Sequence, residues 1–257
     1  MSGTEAGTDS RSIAPKAKAF TSIVRSAVRD RGLGFVIRRG ADYAFSVCAA
    51  QYYARRTPRE TFSALGRTYR YFYHLYNITW KNERAVEIAI ALDFVDHHPS
   101  TNMLEVGNVL SWYRSGRHDI LDKYEVTDGV INEDVVDFDP GHTYDVIVTI
   151  STLEHVGWDE TPRDPTKVLR AAEHLKGLVA PGGIMLVTVP IGQNPGLDAA
   201  LGDGTLRFTK QCFMKRLART RWREATWDEV KDAKSDYPYR GANALFIGIY
   251  EPPEATP

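Results

Sequence analysis

An α/β fold built on a mostly parallel sheet is predicted by three features of this 257-residue sequence. Beyond residue 99, short apolar runs alternate with stretches of helical period. The runs at 144–150 and 184–189 are apolar almost throughout, the pattern of strands covered on both faces. Turn residues or carboxylates close the runs: Gly107 follows 103–106, Asp122 ends 118–122, and Pro190 follows Val189. Strands and helices in alternation require crossovers, and hence a covered parallel sheet.

The elements follow in order. Residues 15–98 read as a helical extension or substrate cap. Phe20, Ile23, Val24 and Val28 recur at helical spacing, with Arg25, Arg29 and Arg31 on other faces. Thr57-Pro58 has the form of an N-cap with proline at the first helical position. Tyr69, Phe72, Tyr73, Tyr76 and Trp80, at spacings of three and four, predict an aromatic helical stripe that packs a core. Residues 84–95 continue helically. Then come strands at 103–106 and 118–122, a weak one at 132–136, and a strong one at 144–150. An amphipathic helix at 165–178 stops at the turn Pro181-Gly182-Gly183, and 184–189 is a buried strand. Thr209 caps a predicted helix through Leu217, and strands at 222–225 and 244–250 end the domain. The expected organisation is a tail at 1–14, the extension at 15–98, the sheet domain at 99–252 and a tail at 253–257.

Composition sets outer limits. At 43% hydrophobic and 25% charged residues the chain reads as a soluble globular protein. A net charge of -1 argues against a dedicated duplex binder, so no nucleic-acid partner is expected. That charge is unevenly spread: residues 1–70 hold 13 Lys/Arg against 5 Asp/Glu, while 71–257 carry a balance of -9. Cys48 and Cys212 form no disulfide framework and are expected to be reduced thiols in apolar surroundings. Residues 1–12 lack the apolar segment of a secretory signal. No apolar run approaches the ~18 residues of a spanning helix. A cytoplasmic location is expected.

In open parallel sheets, ligands bind beyond the carboxyl ends of the strands. Gly107, after the first strand, permits a tight turn and close backbone approach. Asp122, after the second, is placed to accept from both hydroxyls of a ribose, and Asp134, at the third, to receive an adenine amino group. Ser151-Thr152-Leu153-Glu154-His155 follows the fourth, where the reactive end of such a cofactor would lie. The plainer alternative makes Asp122 and Asp134 ordinary loop caps.

At Leu104-Glu105-Val106-Gly107, at 144–156 and at 178–187 the chain resembles class I S-adenosylmethionine-dependent methyltransferases, over about residues 100–250. The resemblance implies a Rossmann-like seven-stranded sheet in the order 3-2-1-4-5-7-6, its seventh strand antiparallel, with the closing pair at 222–226 and 244–250. It implies S-adenosyl-L-methionine as cofactor and S-adenosyl-L-homocysteine as product. Matched by position, the cofactor-binding residues are Glu105, which orients the glycine loop or the methionine amino group, Gly107 and Asn108. Asp122 follows, with Glu125 as a neighbouring candidate, then Asp134, and Ile150 and Ser151, whose backbone faces the methionine part. Val109 and Ser111 stand where the family has its second and third loop glycines. The connections 108–117 and 123–131 are at or below the ~10–12 residues of a crossover helix, so those helices are expected to be one turn or absent. Loop backbone would then reach the cofactor with less help from a helix N-terminus.

Methyl transfer from a sulfonium is an in-line displacement, and an alcohol acceptor benefits from a general base near neutral pKa. His155 is the best placed of the seven histidines; the plainer alternative is that Glu154-His155 orders its loop. Glu83 is a second candidate base, in the polar segment 76–84 expected to form one wall of the pocket. Gln193-Asn194 and residues 237–243 are expected to furnish the opposite wall. Asp96, His97 and His98 suggest no metal site, because consecutive histidines on a helix point apart.

The chain is also similar to bacterial methyltransferases of saccharide modification, which implies O-methylation of a sugar, glycan or other small molecule. A lipid-linked or protein substrate is the alternative acceptor. Two rivals are a nucleoside-binding domain without catalysis, favoured by Val109 and Ser111, and a nicotinamide-dependent dehydrogenase, which lacks the full Gly-x-Gly-x-x-Gly fingerprint. The basic N-terminal region is either a solvated surface or a weak peripheral contact with an anionic substrate or membrane. Arg38, Arg39, Arg55, Arg56 and Arg59 flank the apolar stretch 43–50 there.

Overall fold

The computed structural model describes residues 33–56 and 59–253. The helix predicted from Lys16, the tail at 1–14 and the cap at Thr57-Pro58 lie outside the described residues. The chain forms two compact units, residues 1–52 and 53–257. Helix α1, Leu33–Arg56, is the described part of the first and runs four residues past the division. Residues 59–98, read from the sequence as part of the extension, belong to the same unit as the sheet.

That unit opens with a hairpin where a helix is predicted. Strands β1, Thr61–Ala64, and β2, Arg67–Arg70, pair antiparallel across Leu65 and Gly66, whose φ values are 53° and 74°. Two successive positive φ angles match the twist of a two-residue hairpin. Phe62, Ala64, Tyr69 and Tyr71 are buried while Ser63, Thr68 and Arg70 are exposed. Of the predicted aromatic stripe only Tyr69 lies in a strand; Phe72 and Tyr73 follow it in irregular chain, and Tyr76 and Trp80 lie in the turn beyond. A 3-10 turn, Tyr76–Lys81, is broken by positive φ at Asn77 and Ile78. Helix α2, Arg84–His97, buries Val86, Ile88, Ile90, Ala91 and Phe94 against the sheet.

The central sheet has eight strands: β3 Met103–Val106, β4 Asp119–Leu121, β5 Val130–Ile131, β6 Tyr144–Ile150, β7 Val179–Pro190, β8 Lys210–Ala218, β9 Arg221–Ala225 and β10 Ala244–Tyr250. Their order is β5-β4-β3-β6-β7-β10-β8-β9. Neighbours from β5 to β7 are parallel, and β10 runs antiparallel to both β7 and β8. The first seven places follow the progression 3-2-1-4-5-7-6, and β9 adds an eighth strand at the edge.

Several expectations are corrected. Residues 210–217 form strand β8, not a helix, and β8 rather than 222–226 is the neighbour of β10. Met214 and Arg216 point inward and Leu217 outward, a period-two pattern masked because one inward residue is an arginine. Its guanidinium donates to the carbonyls of Lys81, Arg219, Arg240 and Ala242, which makes burial tolerable. The third strand lies at 130–131, ahead of the predicted 132–136. Pro181-Gly182-Gly183 is an irregular segment within β7, where the register with β6 shifts. Cys48 is exposed rather than in apolar surroundings, while Cys212 is half-buried and burial pushes its thiol up to about 12.

Helix α3, Lys167–Gly177, and helix α4, Pro195–Asp203, cover the face opposite α2. Ile147, Met185 and Val187 point to their side, and Val146, Val148 and Leu186 to the α2 side. This alternation is what period-two strands deliver to two covered faces. The connection after β3 holds only the 3-10 turn Leu110–Trp112, and none of 123–129 is helical. No helix among the described residues is long and apolar enough to cross a membrane.

Candidate active site

A cleft of about 600 Å³ opens at the carboxyl ends of β3 to β6. Of the residues expected at the cofactor site, Gly107, Asn108, Asp122, Asp134 and Ser151 line it, as do Glu125 and the candidate base His155. Glu105, Ile150 and Glu83 do not.

The loop after β3 is built from below. Glu105 is completely buried, and its Oε1 accepts from the backbone N–H groups of Val109, at 2.7 Å, and Leu110. Oε2 lies 2.7 Å from Nε2 of His118. Both oxygens are thus spent on shaping the loop, so Glu105 orients it without reaching the cleft. Gly107, at φ 82°, donates its N–H to the carbonyl of Leu121, which ties the loop to β4. A Cβ at this position would overlap the Thr152 side chain, so only glycine lets the β3 and β6 loops meet. Asn108 donates to Glu125 Oε1 at 2.7 Å and accepts from Ser111 Oγ. Ser111, in place of a glycine, thus braces the loop through its hydroxyl.

Beyond β4, Asp122 Oδ1 accepts from the N–H groups of Tyr124 and Glu125, each at 2.9 Å. Its other oxygen has no partner among the described residues. Asp134 Oδ2 accepts from Lys123 at 2.7 Å and from Lys167, while Glu160 accepts from Lys167 through both oxygens. Burial pushes the Asp134 carboxyl up, but the two lysine hydrogen bonds outweigh it and hold its pKa at about 2. Glu160 is lowered for the same reasons. Asp134 is therefore an ionised member of a four-residue ion cluster on the cleft wall.

Beyond β6, Ser151 adopts φ 42°, an uncommon conformation for a residue with a side chain. Its N–H donates to the Thr188 carbonyl at 2.9 Å, and its Oγ donates to Glu87 Oε1 at 2.6 Å. Thr188 Oγ1 donates to the same oxygen, and Arg84 donates to Glu87 Oε2 at 3.0 Å. Burial raises the Glu87 pKa against the pull of Arg84. Ile150 is buried, and its carbonyl accepts from Thr152 Oγ1. Sequence reasoning missed Glu87; its signal was a lone carboxylate in the apolar run 85–91.

The 3-10 turn Leu153–His155 then carries one buried and one exposed side chain, with His155 Nε2 3.6 Å from Glu154 Oε1. Glu154 is buried, its Oε2 has no partner, and burial raises its pKa well above the usual carboxylate range. His155 is exposed on the cleft, with Nδ1 2.6 Å from Asp159 Oδ2. An Nδ1–H donated to that carboxylate leaves Nε2 able to accept a proton.

Glu83, the other candidate base, instead accepts from the N–H of Ala242 at 2.7 Å. With Arg216 bound to the Lys81 and Ala242 carbonyls, it knits segments 76–84 and 240–243 together. These segments do not line the cleft as opposite walls. Asn194 is also elsewhere: fully buried, it caps α4 and donates to the Glu154 carbonyl at 3.1 Å.

No protein-family model matches the chain, and no curated protein matches it. Among solved structures it is similar to the N-methyltransferase NodS from Bradyrhizobium japonicum WM9 in complex with S-adenosyl-L-homocysteine, at 14% identity and a TM-score of 0.40, over 62% of this chain and 82% of that one. It is also similar to the sugar N-methyltransferase KedS8 from Streptoalloteichus sp ATCC 53650, at 10% identity and a TM-score of 0.34, over 70% and 94%. The CcbJ methyltransferase from Streptomyces caelestis is similar at 11% identity and a TM-score of 0.35, over 63% and 88%.

Proposed function

We propose that this chain is an S-adenosyl-L-methionine-dependent methyltransferase of class I type. The observation that carries this reading is the cleft itself: one glycine-gated loop and a file of carboxylates meet at the carboxyl ends of four adjacent parallel strands. The donor set suits a nucleoside. Asp122 offers an unpartnered carboxylate oxygen to ribose hydroxyls, with Glu125 beside it, and the backbone at Gly107 admits close approach. The bound cofactor supplies an electrophilic methyl group on a sulfonium. Asp134 contributes ionised charge and a second carboxylate oxygen at the adenine side. Ser151, held by Glu87 and Thr188, presents backbone toward the methionine part, and Glu105 acts through the loop.

The acceptor in this proposal is a hydroxyl of a sugar, glycan or other small molecule. His155 takes its proton at Nε2 while Asp159 fixes the ring, so the acceptor oxygen attacks as the proton leaves. Tyr76 and Trp112, stacked at 4.8 Å and both exposed, stand just beyond the cleft-lining loop 107–109 and offer a flat apolar face to a sugar ring.

Calorimetry with S-adenosyl-L-methionine and S-adenosyl-L-homocysteine tests the cofactor assignment: both bind, and binding of neither overturns it. Methyl release against a panel of saccharides, amines and lipid-linked glycans tests the acceptor. Turnover confined to amines would overturn the oxygen assignment alone.

A further inference from the structure

Positions 41, 45, 48, 52 and 55 of α1 recur at spacings of three and four, which places them on one face of the helix. They hold Ala41, Phe45, Cys48, Tyr52 and Arg55, and all five are exposed, Phe45 by 67% and Tyr52 by 54%. Charge is concentrated at the ends of this stretch. Arg38-Arg39 precede residues 40–54, Arg55-Arg56 follow them, and Asp42 is the single charged residue between. The intervening 15 residues span ~22 Å of helix, less than the ~30 Å hydrocarbon core of a bilayer. A stripe of this length cannot cross a membrane but can lie along one.

Two occupants compete for such a face, and the residues choose between them. A second copy in a coiled coil wants large aliphatic side chains at every three-four position. Ala41, Cys48 and Arg55 do not supply them. An anionic lipid surface wants an aromatic stripe with arginine at its margins, and the whole of residues 1–70 adds a balance of +8. We propose that α1 docks in the headgroup region of an anionic bilayer, with Phe45, Cys48 and Tyr52 inserted and Arg55, at the end of the same face, on lipid phosphate. The proposal is independent of the methyl-transfer reading.

The full chain, labelled at Cys48 with a polarity-sensitive fluorophore, is mixed with vesicles of phosphatidylcholine alone or with added phosphatidylglycerol. Co-sedimentation and a blue-shifted label are expected only with phosphatidylglycerol, both weakening as salt is raised. Arg55→Gln lowers affinity about fivefold. Phe45→Asp abolishes the blue shift, and circular dichroism confirms that both variants stay folded. The proposal is overturned by equal binding to both vesicle types or by no binding to either. Co-sedimentation with an unshifted label also overturns it, since another surface then docks. So does a self-associated chain that Phe45→Asp disperses and vesicles do not bind.

Discussion

At residue scale, the cleft depends on a close fit between the loops that line it. Gly107 is required by its neighbour Thr152 as much as by a ligand, because both loops occupy the space a Cβ would take. Gly107→Val must push the β3 loop away from β6, and calorimetry should show cofactor affinity reduced at least tenfold, about 1.4 kcal/mol. His155 and Asp159 stand apart from this scaffold, exposed and paired. If His155 is the base, His155→Ala lowers turnover about 100-fold while S-adenosyl-L-homocysteine still binds. Near-normal turnover in that variant would remove the base role. Asp122 was singled out because it closes a predicted strand and Asp134 because it sat at one predicted over 132–136; with that strand at 130–131, both lie in loops that line the cleft. Glu87 was not legible, because its meaning comes from Ser151 and Thr188, 64 and 101 residues away in the chain.

At the scale of elements, apolar pattern sufficed where strands are covered on both faces and failed where a polar residue points inward. Strands β3, β6 and β10 are mainly apolar, with Glu105 in β3 and Asp145 and Thr149 in β6 as single interruptions too few to hide the pattern, and their sequence positions were read correctly. In β8 the inward Arg216 broke the pattern, and only four carbonyls brought from three other segments explain it. The β1–β2 hairpin was hidden differently: Leu65-Gly66 is an unusual pair for a turn that needs positive φ twice. Helix α4 shows what a cap can do. Asn194 accepts from the N–H groups of Gly196 and Leu197 and also holds the Glu154 carbonyl. Asn194→Ala should cost about 2 kcal/mol, the upper range for a lost cap, read as a lower urea midpoint at unchanged slope. It should also loosen the turn that carries His155.

At the scale of the whole molecule, an ion cluster joins the loops after β4, β5 and β6 to α3, and pH can report it. Asp134 joins the loop after β5 to Lys123 and to Lys167 of α3, and its pKa falls from 3.8 to about 2. A carboxylate lowered in the folded state adds stability above its unfolded pKa and loses it as pH falls through the folded value. The stability difference between the parent and Asp134→Asn should therefore be constant above pH ~5 and shrink between pH ~4 and ~2. Denaturant melts across that range measure it; a difference unchanged down to pH 2 would show that the ion cluster contributes nothing.

The sequence by itself determined the class of fold and where its cleft must open. Apolar runs, their closing residues and the connections between them are local properties, and a parallel sheet puts ligands at one end of its strands. Which carboxylates remain available there was decided by tertiary structure. Glu105 and Glu83 have the same chemistry as Asp122, yet both are engaged: Glu105 by the amides of its own loop and by His118, Glu83 by the amide of Ala242, 159 residues away, while Asp134 gives one oxygen to Lys123 and Lys167. Hydrogen-bond capacity is consumed by whatever folding brings near, and the sequence carries no record of that proximity.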